Sequence, residues 1–229
     1  MTAPSRSAMN REIRDIQDDV LRMADLLNLA IARSLEALAE HDVRLAEEII
    51  DGDAEINALR FRIEEACLAL IATQQPAAGD LRTIIAAMNI VGDMERMADH
   101  AAGVARLVLS MDGYPLLKPL IDIPRMVELC RSMVREALQA FVARDPEKAR
   151  QVAAQDNTID ALYKQVFRDL LSFMVEDPST TSRALLLLFV AHNYERIGDR
   201  ATNIAERVIF MTSGEMRELN PEPQEASHL

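Results

Sequence analysis

The chain has 229 residues, 25 basic against 37 acidic side chains, a formal net charge of −12, 4% aromatic residues and no Trp. A field of that sign repels a phosphate backbone and excludes nucleic acid as a direct partner. With 7 Gly and 9 Pro in a background rich in Ala, Leu, Ile, Met, Arg and Glu, the composition points to an all-α protein.

The first predicted helix runs from about Met9 to Glu40. Its apolar stripe is Ile13, Ile16, Val20, Met23, Leu27, Ala30 and Ala37, interrupted by Ser34. The second, about Asp42 to Thr73, carries Leu45, Ile49, Ile56, Leu59, Ile63, Ala66 and Leu70. Gly52 falls on that stripe, where close packing or a slight bend is expected, and Gln74-Gln75-Pro76 breaks the helix. A third spans about Gly79 to Met111, with Ile90, Met94, Met97, Ala101, Val104 and Val108. Residues 112–122, with Gly113, Pro115 and Pro119, read as a linker. Asp122 is placed to cap a fourth helix, striped by Met126, Cys130, Met133, Ala137 and Phe141. Asp145-Pro146 opens a fifth helix to about Glu176, and Asp177-Pro178 a sixth that ends near Met211. The tail, 213–229, is expected to be disordered.

Stripes on long helices with short connections imply antiparallel bundles, each helix about 45 Å long. Cys67 and Cys130 are far apart, outside any Cys/His cluster, and read as inert buried thiols. Met1–Asn10 is short and polar, unlike a secretory leader, and the longest apolar run, Ala184–Ala191, is too short to span a bilayer. A cytoplasmic protein with no direct membrane insertion is expected.

The halves are copies. Ile56-Asn-Ala-Leu59 matches Ile159-Asp-Ala-Leu162, and His41-Asp42 matches Arg144-Asp145, both at an offset of 103 residues. Gly92-Asp-Met-Glu-Arg-Met-Ala-Asp99 matches His192-Asn-Tyr-Glu-Arg-Ile-Gly-Asp199 at an offset of 100. The chain therefore reads as two tandem, pseudo-symmetric three-helix bundles, a first repeat over 9–111 and a second over 123–212.

Duplication separates what packing requires from what it does not. Apolar positions kept in both copies follow from packing; the acidic pairs do not. At about 100° per residue, Glu95 and Asp99 point roughly 140–180° from their helix's stripe, onto its outer face, as do Glu195 and Asp199. Carboxylates at i and i+4 repel each other, and a shared cation converts that repulsion into attraction. Asp53 with Asn57, and Asp156 with Asp160, are further i, i+4 pairs on the neighbouring helices. A single ExxxD is most simply a solvated surface motif neutralised by arginines such as Arg96 or Arg196. Its recurrence on equivalent helices favours a metal role, with hard oxygen donors suited to Mg, Mn, Ca or Fe and zinc less natural. His100 and His192 adjoin the motifs but are not equivalent between copies, and neither is assigned as a ligand.

There is no GxGxxG, Walker A, GxSxG or HExxH, and no helix carries the Glu-x-x-His pair of ferritin-like di-iron bundles. Glu95-Arg-Met-Ala-Asp99 and Glu195-Arg-Ile-Gly-Asp199 on a tandem three-helix repeat resemble the PhoU family, over about Met9 to Met211. Asp-x-x-Ile-[Asn/Asp]-x-Leu in helices two and five and Asn203-Ile-Ala-Glu206 belong to the same likeness. The resemblance implies a non-enzymatic, cytoplasmic negative regulator of the phosphate-starvation response. Such an adaptor links the high-affinity phosphate ABC transporter to a sensor histidine kinase and modulates uptake, and a homodimer is admitted. It also implies multinuclear sites for divalent or trivalent ions (Fe, Zn, Mn, Mg or Ca). Carried over by position, the ligands are Asp156, Asp160, Glu195 and Asp199 in the second copy, and Asp53, Asn57, Glu95 and Asp99 in the first. Asn57 in place of Asp160 and Gly103 in place of Asn203 weaken the first site, so unequal metal affinity is expected. The alternative from another class is a metal-dependent hydrolase or redox enzyme of helical-bundle type.

Overall fold

The computed structural model describes residues 6–111, 113–216 and 218–219. Six α-helices lie among them: α1 Arg6–Glu40, α2 Val43–Gln74, α3 Ala78–Ser110, α4 Asp122–Ala143, α5 Pro146–Glu176 and α6 Thr181–Ser213. A short 3-10 turn, Pro178–Thr180, precedes α6.

The punctuation between helices is local chemistry repeated in both copies. His41 ends α1 at φ 55° and Arg144 ends α4 at φ 54°, both left-handed and both followed by an aspartate. Asp42 Oδ1 accepts the Leu45 N–H at 3.0 Å, and Asp145 Oδ1 accepts those of Glu147 and Lys148 at 3.0 Å each, ahead of Pro146. Asp177 likewise accepts the Ser179 N–H, at the 3-10 turn that leads into α6. Asp122 does not act as the expected cap. It is the first residue of α4, Ile121 holds the cap position, and Asp122 Oδ1 instead meets Arg125 Nη1 at 3.3 Å. Pro124 lacks one of the N–H groups that a cap at Asp122 needs.

Within each copy the three helices pack against one another, and α3 on α6 with α1 on α4 joins the copies. The buried apolar residues form one continuous core through both. The α1 stripe lies in it except Ala30, which is half-buried while neighbouring Ile31 is fully buried. Ser34 is inside the core, satisfied by the Ile31 carbonyl at 2.8 Å and by the Tyr194 hydroxyl of the other copy at 2.9 Å. Gly52 is exposed with open space around it, so close packing does not explain it. Both cysteines are buried and free, and burial pushes the Cys67 thiol up to about 12. Most of the tail lies outside the described residues; within it the Leu219 N–H donates to Glu206 at 2.9 Å. No helix among the described residues is long and apolar enough to cross a membrane.

The α3–α6 seam carries the pseudo-two-fold relation of the copies. Asp93 of α3 meets Arg200 and Asn203 of α6, at 3.3 Å each. Their counterparts by the offset of 100 are Asn193, His100 and Gly103, and these also meet. His100 Nδ1 lies 3.0 Å from Asn193 Oδ1, and a Cβ on Gly103 would stand 2.9 Å from the same oxygen. Gly103 is therefore the space into which Asn193 fits.

Candidate metal centre

Of the acidic motifs only Asp99 keeps the expected outward-facing, exposed position. Glu95 and Glu195 keep only 18% of their side chains exposed, and Asp156 is buried. The expectation fails because a stripe records one burial direction, whereas α6 is packed by α3, α4 and α5. The side of α6 opposite its stripe turns toward α5, and the corresponding side of α3 turns toward α2.

In the second copy the α5–α6 seam brings Asp160, Glu195 and Asp199 together. One oxygen from each lies within 4.8 Å of the others. Two oxygen ligands at about 2.4 Å on opposite sides of one cation are separated by about 4.8 Å, so one ion fits among them. Asp156, one turn before Asp160, stands behind the triad. A Cβ on Gly198 would stand 2.6 Å from Ile159 Cδ1 and 3.4 Å from Asp156 Oδ1, so Gly198 permits the close approach of α5.

Burial, then the Asp199 charge, pushes the Glu195 carboxyl up to about 7; Asp160 and Asp156 add to this against Arg196. Glu195 Oε2 is buried and accepts no hydrogen bond, while His192 Nδ1 is 3.4 Å away, an ion pair when the imidazole is protonated. Arg196 Nη1 donates to Asp199 Oδ2 at 2.7 Å. Burial and the Glu195 charge raise the Tyr163 phenol, whose ring centroid lies 6.1 Å from that of His192. A buried carboxylate oxygen without a donor, beside two further carboxylates, fits a hard divalent cation. Asp160, Glu195 and Asp199 are the residues that would hold it.

The first copy is arranged differently. Asn57 Nδ2 donates to Asp53 Oδ2 at 2.9 Å, and Arg60 reaches Glu64 at 2.9 Å and Glu95 at 3.4 Å. Burial and then the Asp99 charge raise both Asp53 and Glu95, opposed by Arg106 at Asp53 and by Arg60 at Glu95. Asp53 Oδ1 is buried without a hydrogen bond, and Asp99 is exposed. Among the described residues, the second-copy triad is the one close group of three such side chains. The sequence reading missed Arg60 and its counterpart Tyr163. Both follow directly on the matched Ile-x-Ala-Leu segments, and the offset of 103 that aligned those segments aligns this substitution too.

A family model described as PhoU domain matches residues 20–108 and 123–208. A phosphate-specific transport system accessory protein PhoU homologue of Zymomonas mobilis is 41% identical over 207 residues, 90% of this chain and 87% of its own. Its namesake in Aquifex aeolicus is 41% identical over 90% of this chain and 93% of its own. The crystal structure of PhoU from Pseudomonas aeruginosa matches with a TM-score of 0.85 and 36% identity, over 90% of this chain and 99% of that one. The crystal structure of the phosphate transport system regulatory protein PhoU from Streptococcus pneumoniae matches with a TM-score of 0.84 and 30% identity, over 91% and 99%. Two matched domains on the two halves of a duplicated helical bundle, with relatives aligned along nearly their whole length, place this chain in the PhoU family.

Proposed function

We propose that this protein is the accessory protein of a phosphate-specific transport system and acts as a cytoplasmic negative regulator of the phosphate-starvation response. It links the high-affinity phosphate ABC transporter to a sensor histidine kinase through its helical faces and carries a metal centre in the second copy. Membership of a family whose members are named accessory and regulatory proteins supports the first part. The family is not one of enzymes, so the helical-bundle hydrolase or oxidase is set aside.

The single observation that carries the metal part is the convergence of Asp160, Glu195 and Asp199 around a buried carboxylate oxygen without a donor. Asp160 of α5 and Glu195 and Asp199 of α6 would hold the cation between them, and its positive charge would offset their mutual repulsion across the seam. Around it, Asp199 is steadied by Arg196, and Glu195 is shielded from water by its neighbours.

The test is a phosphate-starvation reporter in a strain lacking this gene. Constitutive expression in phosphate-rich medium is expected, and repression that persists without the protein would sink the regulatory reading. Complementation with Glu195→Gln/Asp199→Asn then asks whether signalling needs the triad. Failure of that variant to restore repression is expected, provided it accumulates to the wild-type level.

A further inference from the structure

The two copies share a backbone plan, so differences between aligned positions around the acidic seam report what each seam needs. Five positions line it. In the second copy they are Asp156, Asp160, Tyr163, Glu195 and Asp199; in the first, Asp53, Asn57, Arg60, Glu95 and Asp99. Counting each Asp or Glu as −1 and Arg as +1, the formal charge is −4 in the second copy and −2 in the first. The change is concentrated on one helix face. Asn57 replaces a carboxylate, and Arg60, one turn along α2, brings a permanent cation.

The contacts show how the first seam uses them. Asn57 donates to Asp53, so the i, i+4 pair that repels in an all-acidic version attracts here. Arg60 spans the seam from Glu64 on its own helix to Glu95 on α3. Arg106 adds a second positive field at Asp53. A guanidinium presents several donors in a fixed plane and stays charged at any physiological pH, so Arg60 at Glu95 and Arg106 at Asp53 oppose the burial and the Asp99 charge that raise both carboxyls. A divalent cation placed among Asp53, Glu95 and Asp99 would face that fixed charge and would have one carboxylate fewer to hold it. The second copy offers Tyr163, neutral at physiological pH, at the position of Arg60.

We infer that Arg60 takes the cation's place in the first copy. The chain then carries one metal centre, at the α5–α6 seam, and the α2–α3 seam is its metal-free, arginine-bridged counterpart. This rests on the metal reading proposed above for the second copy.

The test uses the full-length chain, stripped of metal and titrated with Mn²⁺ by calorimetry, with native mass spectrometry to locate the loss of ions. Glu195→Gln/Asp199→Asn is expected to abolish binding, and Glu95→Gln to leave stoichiometry and affinity unchanged. The reverse substitution, Asn57→Asp/Arg60→Tyr, is expected to add a second binding event within roughly tenfold of the first, since ligand charge count tunes affinity. If that variant does not fold by circular dichroism, the Glu95→Gln arm decides alone, because it leaves Arg60 and Asn57 in place. Metal that survives loss of the second-copy ligands but disappears with Glu95→Gln overturns the inference while leaving a metal-binding protein. Full binding in Glu195→Gln/Asp199→Asn with no effect of Glu95→Gln, or no Mn²⁺ bound by the wild type, overturns the second-copy reading and this inference with it.

Discussion

Glu195 concentrates the electrostatics of the α5–α6 seam at one carboxyl group. Without metal, burial and the neighbouring Asp199 push it from 4.5 up to about 7, so the folded chain holds a proton that the unfolded chain releases. Between those values the folded state binds more protons, and the contribution of this group to stability is fully present at low pH. It declines as pH rises from about 4.5 and levels off above about 7. We expect the thermal midpoint of metal-free wild type to fall across that window relative to Glu195→Gln, whose neutral amide carries no such dependence. Coincident pH profiles of the two proteins would refute the assignment. Bound Mn²⁺ displaces the same proton, so its affinity should rise over the same window. Of this residue the sequence discloses the spacing to Asp199 and the recurrence in both copies. It does not disclose the burial, because that depends on which helix lies across the seam.

Helix ends offer a contrast that only three-dimensional detail resolves. Asp145 and Asp122 look alike on paper, each an aspartate ahead of a proline-containing first turn. Asp145 satisfies two backbone N–H groups, whereas Asp122 makes an i, i+3 contact with Arg125, whose side chain is 67% exposed. Asp145→Ala should therefore cost about 1 kcal/mol in chemical denaturation, and Asp122→Ala under about 0.5 kcal/mol. Equal losses would mean that the geometry at one of the ends is wrong. Helix positions and core stripes were legible because a period of 3.6 residues is imposed by the backbone itself. Ile13, Ile56, Met94 and Met133 fall in the core, whereas Ala66, read on the second stripe, is exposed beside fully buried Cys67. What the stripes could not express is a helix packed on several sides, and so Glu95, Glu195 and Asp199, read as outward-facing, lie in seams, while Asp99 is exposed as read. Ser34 shows the same limit: an apparent break in a stripe is a buried hydroxyl whose partner, Tyr194, is 160 residues away.

At the scale of the molecule, the two copies share one core instead of sitting as separate beads. Unfolding should accordingly be a single transition. Leu59→Ala, a truncation confined to the first copy at a side chain 1% exposed, should lower the whole transition by about 2–5 kcal/mol. Two resolved steps, with only one displaced, would show that the copies are energetically independent. The duplication was readable from matched segments; the joining seam was not, because Asp93, Asn193, His100 and Arg200 differ between copies and look unrelated until they meet across α3 and α6. That seam pairs equivalent positions of the two halves, as a symmetric homodimer interface does, with both halves joined in one chain. In a dimer of identical chains every substitution is made twice, so a site is kept on both sides or lost on both. Fusion removes that obligation. One half can then carry an acidic triad while the other carries an arginine-bridged seam, and a partner approaching the protein meets two faces that are no longer interchangeable.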